Sequence, residues 1–292
     1  MSRSPILPRS RPRGYREKIE CQPDWQAALK AAQLCGIAEV YGGDAGQAIT
    51  QNRTSEVRKL EVRRDGFPTT LYVKKYWAPT WGHVWRGVFR GTFFGTSKVR
   101  REYDNLQRLR SLGLDAPEPV ACGEERCFGF LVRSYLISAG IPDPMPLDWY
   151  IGRFLKEMSR PDQSRVRHEL IERLARHTRS MHGHGFVHYD YFWRNILLSG
   201  GKLDHFYLID AHKGCLRSSR RIETLRIVDL AALDAPAPAF LRRSERLRFF
   251  LCYRDHRRLT RQDRRLIRRI LDYARPLRGR QLERVRQAAE ST

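Results

Sequence analysis

The stretch from His188 to Asp210 constrains this chain more than any other, because Asp190, Asn195 and Asp210 are spaced around a short apolar hairpin. Ile196-Leu197-Leu198 and Phe206-Tyr207-Leu208-Ile209 read as two strands, with Ser199-Gly200-Gly201 as the turn between them. In an antiparallel hairpin the residue before the first strand and the residue after the second lie side by side. Asn195 and Asp210 are therefore expected to face one small volume that a hard cation such as magnesium can bridge. Asp190 falls on the loop leading into the hairpin, where a carboxylate can accept the proton of an attacking hydroxyl. Together these groups suit transfer of a γ-phosphoryl group. An ordinary loop whose Asp and Asn cap turns has the same short spacing, so residues further upstream must decide between the two.

Those residues are present in the required order. Thr70-Leu-Tyr-Val-Lys74 is β-branched and aromatic and reads as a strand ending in a lysine. A helix follows, capped by Ser97 and stopped by Gly113, with Val99, Leu106 and Leu109 on its inward stripe. Glu102 falls on that stripe. A carboxylate on a buried helical face is costly unless paired, and Lys74 is the cation expected to pair it and to hold the α- and β-phosphates of a nucleotide. Five positions in order point to an α+β, two-lobed, protein-kinase-like fold with a β-rich N-lobe and a mainly helical C-lobe.

Several stretches together resemble the bacterial lipopolysaccharide kinases, the inner-core heptose kinases and Kdo kinases. They are Tyr72-Val-Lys74, Arg101-Glu102-Tyr103, Leu112-Gly-Leu-Asp-Ala-Pro, Met181 to Asp190, Leu208-Ile-Asp210-Ala-His-Lys213 and Ile227-Val-Asp229-Leu-Ala-Ala-Leu233. The resemblance runs from about residue 40 to about 235. It implies ATP and magnesium as cofactors and a sugar hydroxyl of a lipid-anchored core oligosaccharide as acceptor. By the same resemblance Asp190 is the catalytic carboxylate, Lys74 the phosphate lysine, Asn195 and Asp210 the metal ligands, and Asp229 the helix carboxylate that braces the catalytic loop. Departures are local. Tyr189 stands where an arginine usually precedes the catalytic aspartate, so control through a phosphorylated activation loop is not expected. Asp210-Ala-His-Lys213 replaces Asp-Phe-Gly, which leaves open whether His212 or Lys213 touches phosphate. Gly42, Gly43 and Gly46 do not spell a phosphate-covering loop, and the turn near Asn52 to Thr54 is expected to join the first two strands.

Charge bounds the partners. The 292 residues carry 55 Lys+Arg against 32 Asp+Glu, net +23, so the chain should seek polyanions. From Leu241 to Thr292 there are 17 basic and 6 acidic residues, and Leu266, Ile267, Ile270 and Leu271 form one helical face amid arginines. That Arg-rich region is expected to meet an anionic membrane surface with its arginines while its apolar face packs on the C-lobe; no specific nucleic acid is expected. No run of 18 apolar residues occurs, and Met1 to Arg13 lacks the apolar core of a signal peptide, which suggests a cytoplasmic protein, peripheral at the inner membrane. The six cysteines show no zinc spacing and read as reduced thiols.

The expected organisation is a flexible basic segment over residues 1–35, an N-lobe over 36–141 and a C-lobe over 142–292, with Pro142-Asp-Pro-Met-Pro146 as linker and adenine against it. The aromatic segment from Tyr76 to Phe94 reads either as an N-lobe insertion or as an interfacial patch. His182, His184 and His188 follow the long helix Gln163 to Met181, and orienting the loop by hydrogen bonds suits them better than holding a metal. His188 in particular should brace the backbone around Asp190 and Asp210. Two other functions share the sequence: a kinase-fold phosphotransferase acting on a small sugar, an aminoglycoside or a protein, and a catalytically inert polyanion-binding scaffold. The inert scaffold has no need of the complete Lys74, Glu102, Asp190, Asn195 and Asp210 set.

Overall fold

The computed structural model describes residues 14–43, 46–78 and 95–290. The chain divides into two compact units, residues 1–107 with 117–141, and residues 108–116 with 142–292.

The first unit is built on a six-stranded antiparallel sheet of order β1-β5-β6-β4-β3-β2. Its strands are β1 (Tyr15–Cys21), β2 (Gln47–Gln51), β3 (Ser55–Arg64), β4 (Phe67–Trp77), β5 (Pro119–Cys127) and β6 (Phe130–Ala139). Side chains alternate across β4, so Leu71 and Val73 point to one face and Tyr72 and Lys74 to the other. The first face is covered by α1 (Gln26–Ala31) and α2 (Ile37–Gly42), whose Leu29, Ile37 and Val40 join Leu60, Val62, Leu71, Val73 and Ile137 in one core. Tyr41 ties α2 to the sheet, its hydroxyl donating to the Ser134 carbonyl at 2.8 Å and accepting from the Tyr76 amide at 3.1 Å.

Residues 14–35 depart from expectation. Instead of a flexible tail they supply β1, paired along its whole length with β5, and α1. The turn at Asn52 to Thr54, where the Asn52 side chain accepts from the Thr54 and Ser55 amides, accordingly joins the second and third strands rather than the first two. The aromatic segment lies outside the described residues from 79 to 94; Tyr76 and Trp77 belong to β4. Helix α3 (Lys98–Ser111) begins where Ser97 Oγ accepts from the Arg100 amide at 3.0 Å and ends at Gly113 with φ +71°.

The second unit is mainly helical. A helical segment from Leu147 to Glu157 leads into α4 (Arg160–Gly183), followed by α5 (Ser219–Asp234), α6 (Arg243–Arg254), α7 (Arg261–Ala274) and α8 (Arg278–Glu290). Ala175, Ile227, Leu230, Phe250, Tyr253, Leu266 and Ile270 form the core shared by α4 to α7. The proline run read as a linker contributes β7 (Pro144–Pro146), an edge strand on β9 (Ile196–Ser199), which pairs in turn with β10 (Lys202–Leu208). Proline is tolerated there because an edge strand has amides that need no ladder partner. A two-stranded ribbon of β8 (Phe186–Val187) and β11 (Cys215–Leu216) completes the unit. Gly185 precedes β8 at φ +79°, and a Cβ there would lie 2.8 Å from the Arg217 carbonyl.

Candidate active site

Lys74 and Glu102 meet within the first unit. β4 places Lys74 on the sheet face opposite the α1–α2 core, and α3 presents Glu102, 3 % exposed, so that Lys74 Nζ lies 2.5 Å from Glu102 Oε1. A dry carboxylate requires such a cation.

The remaining predicted residues gather in the second unit. His188, Tyr189 and Asp190 follow β8, and Asp229 on α5 holds their backbone. Its Oδ2 accepts from the His188 amide and its Oδ1 from the Tyr189 amide, both at 2.8 Å. Asp229 is fully buried, and His182 Nε2 lies 3.2 Å from Oδ2 while its Nδ1 lies 2.8 Å from the Tyr253 hydroxyl. A carboxylate can only accept, so His182 donates to Asp229 through Nε2, and its Nδ1 pairs with the Tyr253 hydroxyl. His182 and His188 therefore serve hydrogen bonds, and among the described residues the three histidines of this region form no metal cluster with one another.

His188 is a neutral strut. Its Nε2 lies 3.1 Å from the Ile209 carbonyl and must donate, whereas Nδ1 accepts from the Asp190 amide at 3.3 Å. One proton satisfies both bonds, and complete burial pushes the imidazole below its ordinary range. The ring thus joins the loop of Asp190 to the strand end that carries Asp210. The hairpin does the same from its other side, since the Ile209 amide donates to the Asn195 carbonyl at 3.1 Å. Tyr189 at φ +62° and Asp210 at φ +57° are both left-handed, so the two loops turn sharply where the functional side chains leave them.

Asp190 is 7 % exposed and both of its oxygens are engaged. Lys213 Nζ lies 3.0 Å from Oδ1; Asn195 Nδ2 at 3.3 Å and Arg194 Nη2 at 3.5 Å approach Oδ2. The Asn195 amide group also donates to the Asp190 carbonyl at 2.8 Å, which leaves its Oδ1 as a hard acceptor. Asp210 adds a carboxylate at the neighbouring strand end, with Oδ1 3.1 Å from His212 Nδ1. An amide oxygen and a carboxylate at adjacent strand ends are the donor types a magnesium ion takes, so the residues fit that metal.

Lys213 and Arg194 are neighbours of Asp190 to which the sequence assigned no role. Arg194 sits four residues after Asp190 inside the motif. Lys213 is brought back by the turn Ala211–Lys213.

A two-unit chain with a lysine–glutamate pair in its sheet unit and an Asp–Asn–Asp set on the hairpin of its helical unit has a kinase-like fold. A solved structure described as WaaP in complex with acyl carrier protein matches it with TM-score 0.63 and 22 % identity over 90 % of this chain and 99 % of that one. The profile of the lipopolysaccharide kinase (Kdo/WaaP) family matches residues 46–249, and the chain belongs to that family. The lipopolysaccharide core heptose(I) kinase WaaP of Escherichia coli is 30 % identical over 123 residues, 40 % of this chain and 45 % of that protein, so the match spans less than half the relative's length.

Proposed function

We propose that this chain is an ATP-dependent kinase that phosphorylates a sugar hydroxyl, of heptose or Kdo, in the inner core of lipopolysaccharide at the cytoplasmic face of the inner membrane. The observation that carries this reading is Asp190, a nearly buried carboxylate beside Asn195 and fixed by Asp229, His188 and the hairpin that ends in Asp210. Asp190 would accept the acceptor hydroxyl's proton, and Lys74, positioned by Glu102, would hold the α- and β-phosphates. Magnesium, held by Asn195 and Asp210, would neutralise the charge of the triphosphate. The test is transfer from γ-labelled ATP with magnesium to purified dephosphorylated core, wild type beside Asp190→Asn. Label with wild type alone is expected; equal label with Asp190→Asn would overturn the assignment of Asp190, and no label with either protein would overturn the core as acceptor.

Two features support partners for this reaction. On α7, Arg261, Arg264, Arg265, Arg268 and Arg269 are exposed, have no ion-pair partner among the described residues, and span about 140° at 100° per residue, opposite buried Leu266 and Ile270. Such a face suits anionic headgroups, and no described helix is long and apolar enough to cross a bilayer. An acyl carrier protein is the second partner, carried over from the solved neighbour. A cavity of about 670 Å³ in the second unit, lined by Leu170, Leu174, Leu230, Phe250 and Ile270, with Arg243, Arg246 and Arg278 also at its wall, supports it by suiting an acyl chain beneath a polar head.

A further inference from the structure

Arg194 does more than approach Asp190. Its guanidinium lies 4.5 Å from the Phe192 ring centroid, and its Nη1 donates to Gln281 Oε1 at 3.3 Å. Gln281 is 6 % exposed and sits on α8, beyond the 46–249 stretch that the family profile covers. The register of α8 is fixed by close packing: a Cβ at Gly152 would lie 3.2 Å from Ala289 Cβ and 3.3 Å from Val285 Cγ1. Arg284, three residues after Gln281, flanks it on the same helix, and its charge acts on Arg194. Arg284 is exposed and has no acidic partner among the described residues. Arg194 is answered by Asp190, with Asp210 and Asp148 also acting on it, whereas Arg284 has no acidic partner among the described residues, so its charge is the one left for an incoming anion.

We propose that Arg194 and Arg284, with Gln281 as the positioning residue, form a subsite for an anionic group of the acceptor, a carboxylate or a phosphate, beside the hydroxyl delivered to Asp190. The acceptor is then an acidic sugar unit, and α8 is an element of acceptor specificity. This rests on the kinase reading of Asp190.

The test uses the full chain and measures KM for core and for ATP separately in wild type, Arg284→Ala and Arg284→Lys. Arg284→Ala should raise KM for core about tenfold, the loss of one charge-assisted contact, with kcat and KM for ATP unchanged and Arg284→Lys close to wild type. Core with its carboxylates amidated and core stripped of phosphate identify the anion. The preparation lacking it should show wild type the same rise in KM, with no further rise in Arg284→Ala. An unchanged KM for core in Arg284→Ala would overturn the subsite while leaving the kinase intact. Should wild type transfer nothing, calorimetric binding of core to the same variants decides the subsite by itself: equal affinity of wild type and Arg284→Ala overturns it, and weaker binding by Arg284→Ala alone supports it.

Discussion

Glu102 and Asp229 are both buried carboxylates on helices, one in each unit, yet they are satisfied in opposite ways. Glu102 is answered by a side-chain cation, Lys74, whose side chain remains 20 % exposed. Asp229 is answered by two backbone amides and a histidine, with no lysine or arginine in direct contact among the described residues. A lysine on a flexible stem can share its charge with an incoming phosphate, whereas backbone amides cannot move without remaking the loop. The first carboxylate's pairing is thus of a kind that can exchange, the second's of a kind that cannot.

The contrast can be broken most directly at Asp229. Asp229→Ala strands two buried amides, and its expected cost of about 3–5 kcal/mol should lower the thermal midpoint by roughly 10 °C and abolish transfer together. Glu102→Gln should act on turnover alone, reducing it about a hundredfold with a midpoint close to wild type, as when one preorganised electrostatic contact is lost. If calorimetry showed Glu102→Gln falling as far as Asp229→Ala, the distinction between exchangeable and permanent pairing would fail.

Acid should separate the units as well. Every histidine except His83 lies between residues 168 and 256, in the second unit. Burial lowers His177 to about 4, and its Nε2 has no hydrogen-bond partner. Its unfolded form binds a proton below its ordinary value of 6.5 while the folded form does not, so stability falls as pH drops from 6.5 to about 4 and then levels off. Hydrogen-exchange protection around α4, corrected for the intrinsic rate at each pH, should fall over that range, and His177→Phe should flatten the dependence. The smallest effect is expected at a third buried carboxylate, Asp263, which draws on both kinds of partner: the Thr260 amide and hydroxyl, His256 and Arg254. Against burial, these bonds hold its carboxyl below the usual range. Thr260→Ala removes one bond to Asp263 and the cap of α7, and urea denaturation should register about 1 kcal/mol.

What the sequence revealed follows the same division between regular and irregular backbone. The hairpin, the strand ending at Lys74 and the helix carrying Glu102 announce themselves through apolar periodicity, and the Lys74–Glu102 contact follows because a buried carboxylate needs a cation. β1 was hidden because Tyr-Arg-Glu-Lys-Ile-Glu-Cys, on an exposed sheet edge, has too few apolar residues to alternate. β7 was hidden by prolines that ordinarily argue against a strand. The meeting of Arg194 with Gln281, 87 residues away, left no local trace, since neither residue type is unusual in its own segment. Lys213 fell between the two cases: its spacing from Asp210 was visible, but its contact with Asp190 depends on the left-handed turn at Asp210.

The arginine face of α7 makes salt concentration a property to be reckoned with in handling the protein. Its field extends about 30 Å into a 0.01 M buffer but only about 8 Å at physiological ionic strength. A preparation lysed in dilute buffer will therefore arrive carrying whatever polyphosphate is abundant, chiefly nucleic acid, as a borrowed counterion layer. Its ultraviolet absorbance ratio will report that cargo until a high-salt wash strips it. Apparent affinities measured before and after the wash will differ although no residue has changed.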